Sequence, residues 1–509
     1  MKEINMFSLS LATRPLLENV VDCYAYIVEK DCNVIEVART LQALYPDLEA
    51  LIKKNDFTGD QSQVISFPCV HNGRVISIIL VGYGSIQNSS HTISAIERYR
   101  RAIGKIVKEV RSLNSNSVAV EIRTPLETGN TPYYYAEQAT IAFHKAYYHF
   151  DDYITEKKRK KNRLEVILVA QENNKNEVER GIVDGTIIGT AINQARHWID
   201  MPPSHLTPQD LAQKAHEVAQ RNNLDITVFH EKEINAMGMG GLSAVSRGSD
   251  IDCALIILEY KSQKENAPTL CFVGKGITFD SGGLSLKPAD FMETMKEDMS
   301  GAAAVICAID ALAQLGCEAH IIAIAPTSEN LPSGKATKPG DIVTFYNGKT
   351  AEIKNTDAEG RLILADALAY AVKQYKPTVI VDLATLTGAC SRALGPFYSG
   401  LFTQHDDLKE QLQKAAHISG DLLWQLPMGD DYKKAIVSSV ADICNIGNSK
   451  ISAGATTAAH FLQHFVDDVA WAHIDIAGTA YDVPHISYYR PGATGVGVGL
   501  LVALAKNWQ

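Results

Sequence analysis

The chain has 509 residues, of which 46% are hydrophobic and 21% charged, and a formal net charge of −10. This is an ordinary globular balance, and the length implies about two to four domains of roughly 100–200 residues each. The acidic surplus argues against nucleic acid as a general partner, and no apolar run reaches the roughly 18–20 residues that span a bilayer. The nine cysteines are scattered, odd in number and never spaced C-x-x-C, which argues against a disulfide framework and against a cysteine zinc site. The start, MKEINMFSLSLATRP, lacks the charged, apolar, small order of a signal peptide, so a cytoplasmic protein without a membrane partner is expected.

In chain order, VDCYAYIVEK and RVISIILVGYG are rich in β-branched and aromatic residues and read as strands. SAIERYRRAIGKIVKEVRSL and AEQATIAFHKAYYHF have helical spacing, and LEVILVAQ is a further strand. The basic run EKKRKKNR, Glu156 to Arg163, precedes that strand and reads as a solvated loop in preference to a phosphate-holding patch. Residues 1–175 therefore form a smaller N-terminal α/β domain. It contains no convergent polar cluster, and a role in assembly is expected of it.

Residues 176–200 read as one long connecting helix, which MPPSHLTP must break. Thr207 is the expected N-cap of the next helix, with Pro208 in its first position. Across residues 201–509 the pattern is strand, loop, helix, repeated. The strands are CALIILEY, TLCFVG, AHIIAIAP, TVIVDLAT and WAHIDIAG. The helices are SGAAAVICAIDALAQLG, EGRLILADALAYAVKQY and AGATTAAHFLQHFV. This alternation predicts an α/β domain whose largely parallel central sheet is flanked by helices, with the ligand site at the carboxyl ends of the strands.

The loops expected there are polar. VGKGITFDSGGLSLKP offers Lys275, Asp280 and Lys287; MKEDMSGAAA places Asp298 ahead of an apolar helix; NTDAEGR presents Asp357, Glu359 and Arg361. If NTDAEGR is extended, those three side chains project to one side. Asp298 alone could be a helix cap, and Asp357 and Glu359 alone could complement a helix dipole. Four carboxylates converging in apolar surroundings, however, carry too much charge without cations. Two divalent ions about 3.5–4 Å apart, bridged by carboxylates, would satisfy them. Other candidates are weaker. His460 and His464 have i, i+4 spacing but lack the Glu of a zinc helix, PSGKAT lacks the first glycine of a phosphate loop, and GATGVGVG lacks the setting of a dinucleotide fingerprint.

NTDAEGRL, Asn355 to Leu362, resembles the signature of the leucine aminopeptidases, the dinuclear-metal cytosol aminopeptidase family. VGKGITFDSGG with its downstream LKP, the DMSGAA run, ENLPSGKA, DLATLTGA and WAHIDIAGTA are similar to that family in the same order. The likeness spans about Asn193 to Leu500; two departures are GATG followed by Val-Gly-Val, off the metal ligands, and the aromatic segment YDVPHISYYRPG, placed at either a pocket edge or a subunit contact.

The resemblance implies a metal-dependent aminopeptidase with two divalent ions per subunit, Zn or Mn, with Mg or Co as alternatives. Asp280 and Glu359 would bridge the ions, Lys275 and Asp298 would complete the tighter site, and Asp357 the more exchangeable one. Lys275 would need a depressed pKa, because lysine ligates metal only as the free amine. Lys287 would face the scissile carbonyl, and Arg361 would hold a bicarbonate ion acting as general base toward a metal-bridging water. Met295, Asn355, Thr385, Leu386, Gly388, Ala477 and Ala480 would contact substrate, in a pocket suited to N-terminal Leu and other apolar residues. A homohexamer, a dimer of trimers acting on peptides, is implied as well. The rival readings are a dinuclear phosphoesterase and a DNA-binding role through Lys157 to Lys161.

Overall fold

The computed structural model describes residues 7–30, 34–61, 63–85, 93–122, 131–156 and 163–508. Apart from its two end residues, the basic run at Glu156 to Arg163 lies outside them. The chain divides into two units, Met1–Asn193 with Pro484–Arg490, and Gln194–Val483 with Pro491–Gln509. The helix Lys175–Asp200 runs through the division.

The first unit is built on a sheet of strands β1 (Phe7–Ala12), β2 (Cys23–Glu29), β3 (Val64–His71), β4 (Arg74–Gly84), β5 (Ser117–Glu121) and β6 (Leu164–Val169), in the order β1-β6-β5-β2-β4-β3. All pairs are parallel except the β3–β4 hairpin. Along β4 the side chains alternate between two cores, as extended geometry requires. Ile79 and Val81 join Ile103, Val107 and Phe143 of the helices Ala95–Ser112 and Pro132–Tyr147. Ile78 and Leu80 join Val37, Leu41 and Leu48 of the helices Val34–Leu41 and Leu48–Lys54. The aromatic segment near residue 488 belongs to this unit. Tyr488 is buried, and its hydroxyl lies 3.0 and 3.1 Å from the two carboxylate oxygens of Glu97. Gly104 makes this seat available, since a Cβ there would fall 2.6 Å from the Tyr488 nitrogen.

The second unit carries β7 (Asp225–His230), β8 (Ala254–Tyr260), β9 (Thr269–Gly274), β10 (Gly276–Asp280), β11 (His320–Asn330), β14 (Val379–Ala384), β15 (Ser399–Phe402), β16 (Leu423–Gln425) and β18 (Ala470–Asp475) in one sheet. Its order is β16-β15-β18-β14-β9-β11-β8-β7, with β10 paired to the far end of β11. The strands β18, β14, β9 and β11 run parallel to one another. Three short strands, β12 (Ile342–Thr344), β13 (Thr350–Glu352) and β17 (Ile443–Cys444), form a separate small sheet. Every residue of β14 is buried, the signature of a parallel strand covered on both faces. Cys271, Val273, Ile322, Ile324 and Ile380 pack with the helices Gly360–Tyr375 and Gly454–Gln463. The alternate residues Leu270 and Phe272 point to the other face, where Ser300–Gln314 packs on β9, β11 and β14.

The α/β class with a largely parallel central sheet is therefore as the alternation predicted, and Thr207 caps its helix in a full capping box with Asp210. The periodicity reading passed over β1, β3, β7 and the helix Asp406–Ser419, which are short or only half-buried. Among the described residues no helix is long and apolar enough to cross a membrane.

Asp366, 1% exposed, ties the helix Gly360–Tyr375 to the start of the helix Gly240–Ser246 and to a turn by accepting from the Leu242 N–H at 2.9 Å and the Tyr346 N–H at 2.8 Å. Asp366→Ala leaves both donors without their partner, so denaturant unfolding should show a loss of about 2–4 kcal/mol, with Asp366→Asn losing less.

Candidate active site

The site begins where the sheet breaks. β9 pairs with β11 as far as Ile324, and β10 resumes the pairing at Thr327. Lys275 sits in the gap, its N–H on the Leu383 carbonyl at 3.0 Å and its own carbonyl taking the Ala302 N–H at 2.8 Å. These bonds aim the side chain into the protein. Its Nζ lies 2.8 Å from Asp298 Oδ1, 2.8 Å from Glu359 Oε1 and 3.0 Å from the Thr385 carbonyl. A Cβ at position 360 would stand 2.5 Å from Lys275 Cε, so glycine there lets the lysine pass.

Asp280 ends β10 and is paired with Asn330 at the end of β11. Asn330 Nδ2 donates to Asp280 Oδ1 at 2.8 Å and to the Thr356 carbonyl at 3.0 Å, joining the two loops. Thr356 adds a second stitch, its hydroxyl donating to the Gly282 carbonyl at 2.7 Å and accepting from the Ser285 N–H at 2.8 Å. Lys287 Nζ then spans Asp280 Oδ2 at 2.9 Å and Asp357 Oδ1 at 2.6 Å. One oxygen from each of Asp280, Asp357 and Glu359 falls within 4.8 Å of the others.

NTDAEGR is not extended. Asp357 lies in a turn closed by its N–H on Asn355 Oδ1 at 2.8 Å; Glu359 already has helical backbone angles, and Arg361 is in the first turn of Gly360–Tyr375. The charged side chains converge through a turn and a helix start, not through alternation along a strand. Neither Asp298 nor Glu359 caps a helix with its side chain: Asp298 lies in a 3-10 turn, Met295–Met299, before Ser300–Gln314, and Glu359 occupies the N-cap position without a capping bond.

The remaining expected residues lie around this cluster or on neighbouring loops. Thr385 donates from its hydroxyl to Asp298 Oδ1 at 2.8 Å. Thr385, Leu386 and Gly388 follow β14, and Ala477 and Ala480 follow β18, its parallel neighbour. Met295 is half-buried in the 3-10 turn that packs against β10. Arg361 is buried, with one guanidinium N–H on the Asn445 carbonyl at 2.7 Å and its Nε without a partner. His460 bonds the Gly429 carbonyl at 3.1 Å and stacks on Tyr432.

Sequence reasoning passed over Asn330 and Asn445. Fully buried Asn445 donates to the Asn355 carbonyl at 2.6 Å, accepts from the Lys354 N–H at 2.8 Å and presents its own carbonyl to Arg361. Its only mark in the sequence is a polar residue directly after the apolar pair Ile443–Cys444.

Burial pushes the Asp280 carboxyl up to about 6, and the Glu359 charge adds to it. Burial also drives Asp298 well above the carboxylate range against the pull of Lys275. Glu359 goes the other way: burial opposes its charge, but Lys275 and Lys287 outweigh burial. Burial would lower the Lys275 amine, yet the Asp298, Glu359 and Asp280 charges hold it above the usual lysine range. Burial alone thus does not give the depressed basicity expected of Lys275.

Four carboxyl groups face two ammonium groups, so full ionisation would leave two negative charges without an ammonium partner, and burial with mutual repulsion resists it by holding Asp280 and Asp298 above the usual carboxylate range. Asp298 Oδ2 and Glu359 Oε2 are buried without a hydrogen-bond partner. Buried unpaired carboxylate oxygens are costly unless a cation takes them, and this donor set, oxygen-rich with one amine, fits divalent ions.

The match to known proteins agrees with this geometry. Residues 193–502 match the model of the cytosol aminopeptidase family catalytic domain, and residues 21–157 that of the family's N-terminal domain. The chain belongs to the cytosol aminopeptidase family. It is accordingly a peptidase of the hydrolase class. A protein of Chlorobaculum tepidum named "Probable cytosol aminopeptidase" is 48% identical over 356 residues, 70% of each chain. A mutant of tomato leucine aminopeptidase superposes with a TM-score of 0.87 at 31% identity, covering 99% of this chain and 97% of that one. The bottromycin maturation enzyme BotP in complex with Mn gives 0.83 at 31% identity, with 96% and 99% covered.

Within this family member, Gly360→Ala should displace the Lys275 side chain while leaving the helix intact. Peptidase activity should fall on the order of 10–100-fold, and circular dichroism should be unchanged.

Proposed function

We propose that the protein is a leucine-preferring aminopeptidase that holds two divalent ions, Zn or Mn, with Mg or Co able to substitute. Asp280 and Glu359 would be shared by both ions, Lys275 and Asp298 would complete the tighter site, and Asp357 the more exchangeable one. The observation that carries this reading is the convergence of Asp280, Asp357 and Glu359, with Asp298 joined to Glu359 through Lys275 and buried oxygens of Asp298 and Glu359 left unpartnered, in a cytosol aminopeptidase family member. When bound, such ions supply Lewis acidity, lowering the proton affinity of water and polarising a carbonyl.

The chain's own residues do the rest. Lys287 is half-buried and held above the usual lysine range: burial opposes its charge, but Asp280, Glu359 and Asp298 outweigh it, so it stays an ammonium able to stabilise an oxyanion as it forms. Burial lowers the Arg361 guanidinium only to about 10, so it remains charged at neutral pH. With one N–H committed to Asn445 and Nε free, it can present a fork to a planar anion. Bicarbonate fits that role and would act as the proton acceptor. Small or apolar groups at Met295, Leu386, Gly388, Ala477 and Ala480, with Asn355 and Thr385 beside them, suit an apolar N-terminal side chain. Kinship with the family supports a homohexameric, cytoplasmic enzyme acting on peptides.

The test is hydrolysis of a leucyl chromogenic amide by metal-stripped protein with Mn²⁺ or Zn²⁺ restored, beside Glu359→Ala. Restored turnover that the substitution abolishes is expected, with no turnover of phosphate esters. Turnover of phosphate esters and none of amides would move the assignment to a phosphoesterase. Removing bicarbonate should slow the wild type reversibly. Arg361→Ala should be about 100-fold slower and indifferent to bicarbonate.

A further inference from the structure

Asp475 closes β18 and is 0% exposed. Four donors converge on its carboxylate. Oδ1 accepts from the N–H groups of Leu386 at 3.2 Å, Thr387 at 3.4 Å and Ala477 at 3.1 Å. Oδ2 accepts from the Thr387 hydroxyl at 2.6 Å. With its proton committed to Asp475, that hydroxyl turns a lone pair to the Cys390 N–H at 3.0 Å and caps the helix Gly388–Leu394. One buried group therefore fixes the turn after β14, the start of the helix that follows, and the turn after β18.

Below it the two strands are locked together. Asp382 of β14 accepts from Trp471 Nε1 at 2.7 Å and pairs with His473 Nδ1 at 2.6 Å. The strands cannot slide, and above them the Ile476 N–H on the Ala384 carbonyl at 2.8 Å closes the ladder, so the spacing of the turns further out is set by the Asp475 carboxylate. Leu386 and Ala477 meet the same oxygen, and the turns cannot part without breaking one of those bonds. On the reading that these turns line the side-chain pocket, Gly388 and Ala477, with little or no side chain, make backbone its wall, and a shift of a turn changes its width directly.

We propose that Asp475 is a positioning residue that sets the width of the pocket for the substrate's N-terminal side chain, and through it the selectivity among N-terminal residues. The inference rests on the reading that the turns after β14 and β18 line that pocket.

The test compares Asp475→Asn and Thr387→Val with wild type and with Thr387→Ser, which keeps the hydroxyl. Steady-state kcat and KM are measured on leucyl and alanyl p-nitroanilides, alongside metal content and amide hydrogen exchange at Ala477. Asp475→Asn and Thr387→Val should lower the leucyl-to-alanyl ratio of kcat/KM by about tenfold, through a higher KM for the leucyl substrate. Turnover of the alanyl substrate should stay within about twofold, metal content should be unchanged, and Ala477 should exchange faster in Asp475→Asn. Thr387→Ser should behave as wild type. If Asp475→Asn does not fold, Thr387→Val carries the comparison. A parallel fall for both substrates, or an unchanged ratio in an active enzyme, would overturn the proposal alone. A wild type that cleaves no aminoacyl amide would overturn the aminopeptidase reading and this proposal with it.

Discussion

Charge excess in a buried place is the constraint on which this structure turns. Asp280, Asp298, Asp357 and Glu359 meet around two lysines, and among the described residues no hydrogen bond reaches the orphaned oxygens of Asp298 and Glu359. Such a cluster would be discarded by any fold that only had to be stable, since each unpaired buried charge costs several kcal/mol. Its retention is understandable if divalent cations are part of the working protein.

The fold is arranged to impose that cost. Parallel strands bring their carboxyl ends to one edge, and hydrogen bonds between the loops there limit their freedom. The break between β9 and β10 turns Lys275 inward, and the start of Gly360–Tyr375 brings Glu359 beside it. Uncharged residues do the holding: Asn330 joins Asp280 to the Thr356 loop, and Asn445 joins that loop to Arg361. These bonds keep like charges at distances they would not adopt freely, which is preorganisation of the kind a metal or an oxyanion rewards.

What the sequence made legible follows from what is local. β14 and the helix Ser300–Gln314 are apolar runs each interrupted by a single aspartate, and Thr207, Pro208 and Asp210 write a helix start in three residues, so periodicity and capping rules find them. The charged site residues were visible because a carboxylate beside an apolar helix is conspicuous. The way they converge was not: NTDAEGR forms a turn and a helix N-terminus because Asn355 closes the turn locally while Gly282, Asn330 and Asn445 bond it from outside its own sequence. Asn330 and Asn445 were missed because a neutral side chain at a strand end carries no charge or periodicity signal, and its importance exists only in the partners that tertiary structure supplies. Tyr488 is similar. An aromatic-rich loop gave no indication that its ring would be buried against Glu97, some 390 positions earlier in the chain.

The measurement that tests the dinuclear account most directly is a count of bound metal. Protein dialysed against a low concentration of Mn²⁺ or Zn²⁺ would be analysed by inductively coupled plasma mass spectrometry, as wild type, Asp298→Ala and Glu359→Gln. The account predicts two ions per chain in the wild type, one retained when Asp298 is removed, and loss of both when the bridging Glu359 is neutralised. A wild type that binds none, or a Glu359→Gln protein that keeps both, would contradict it.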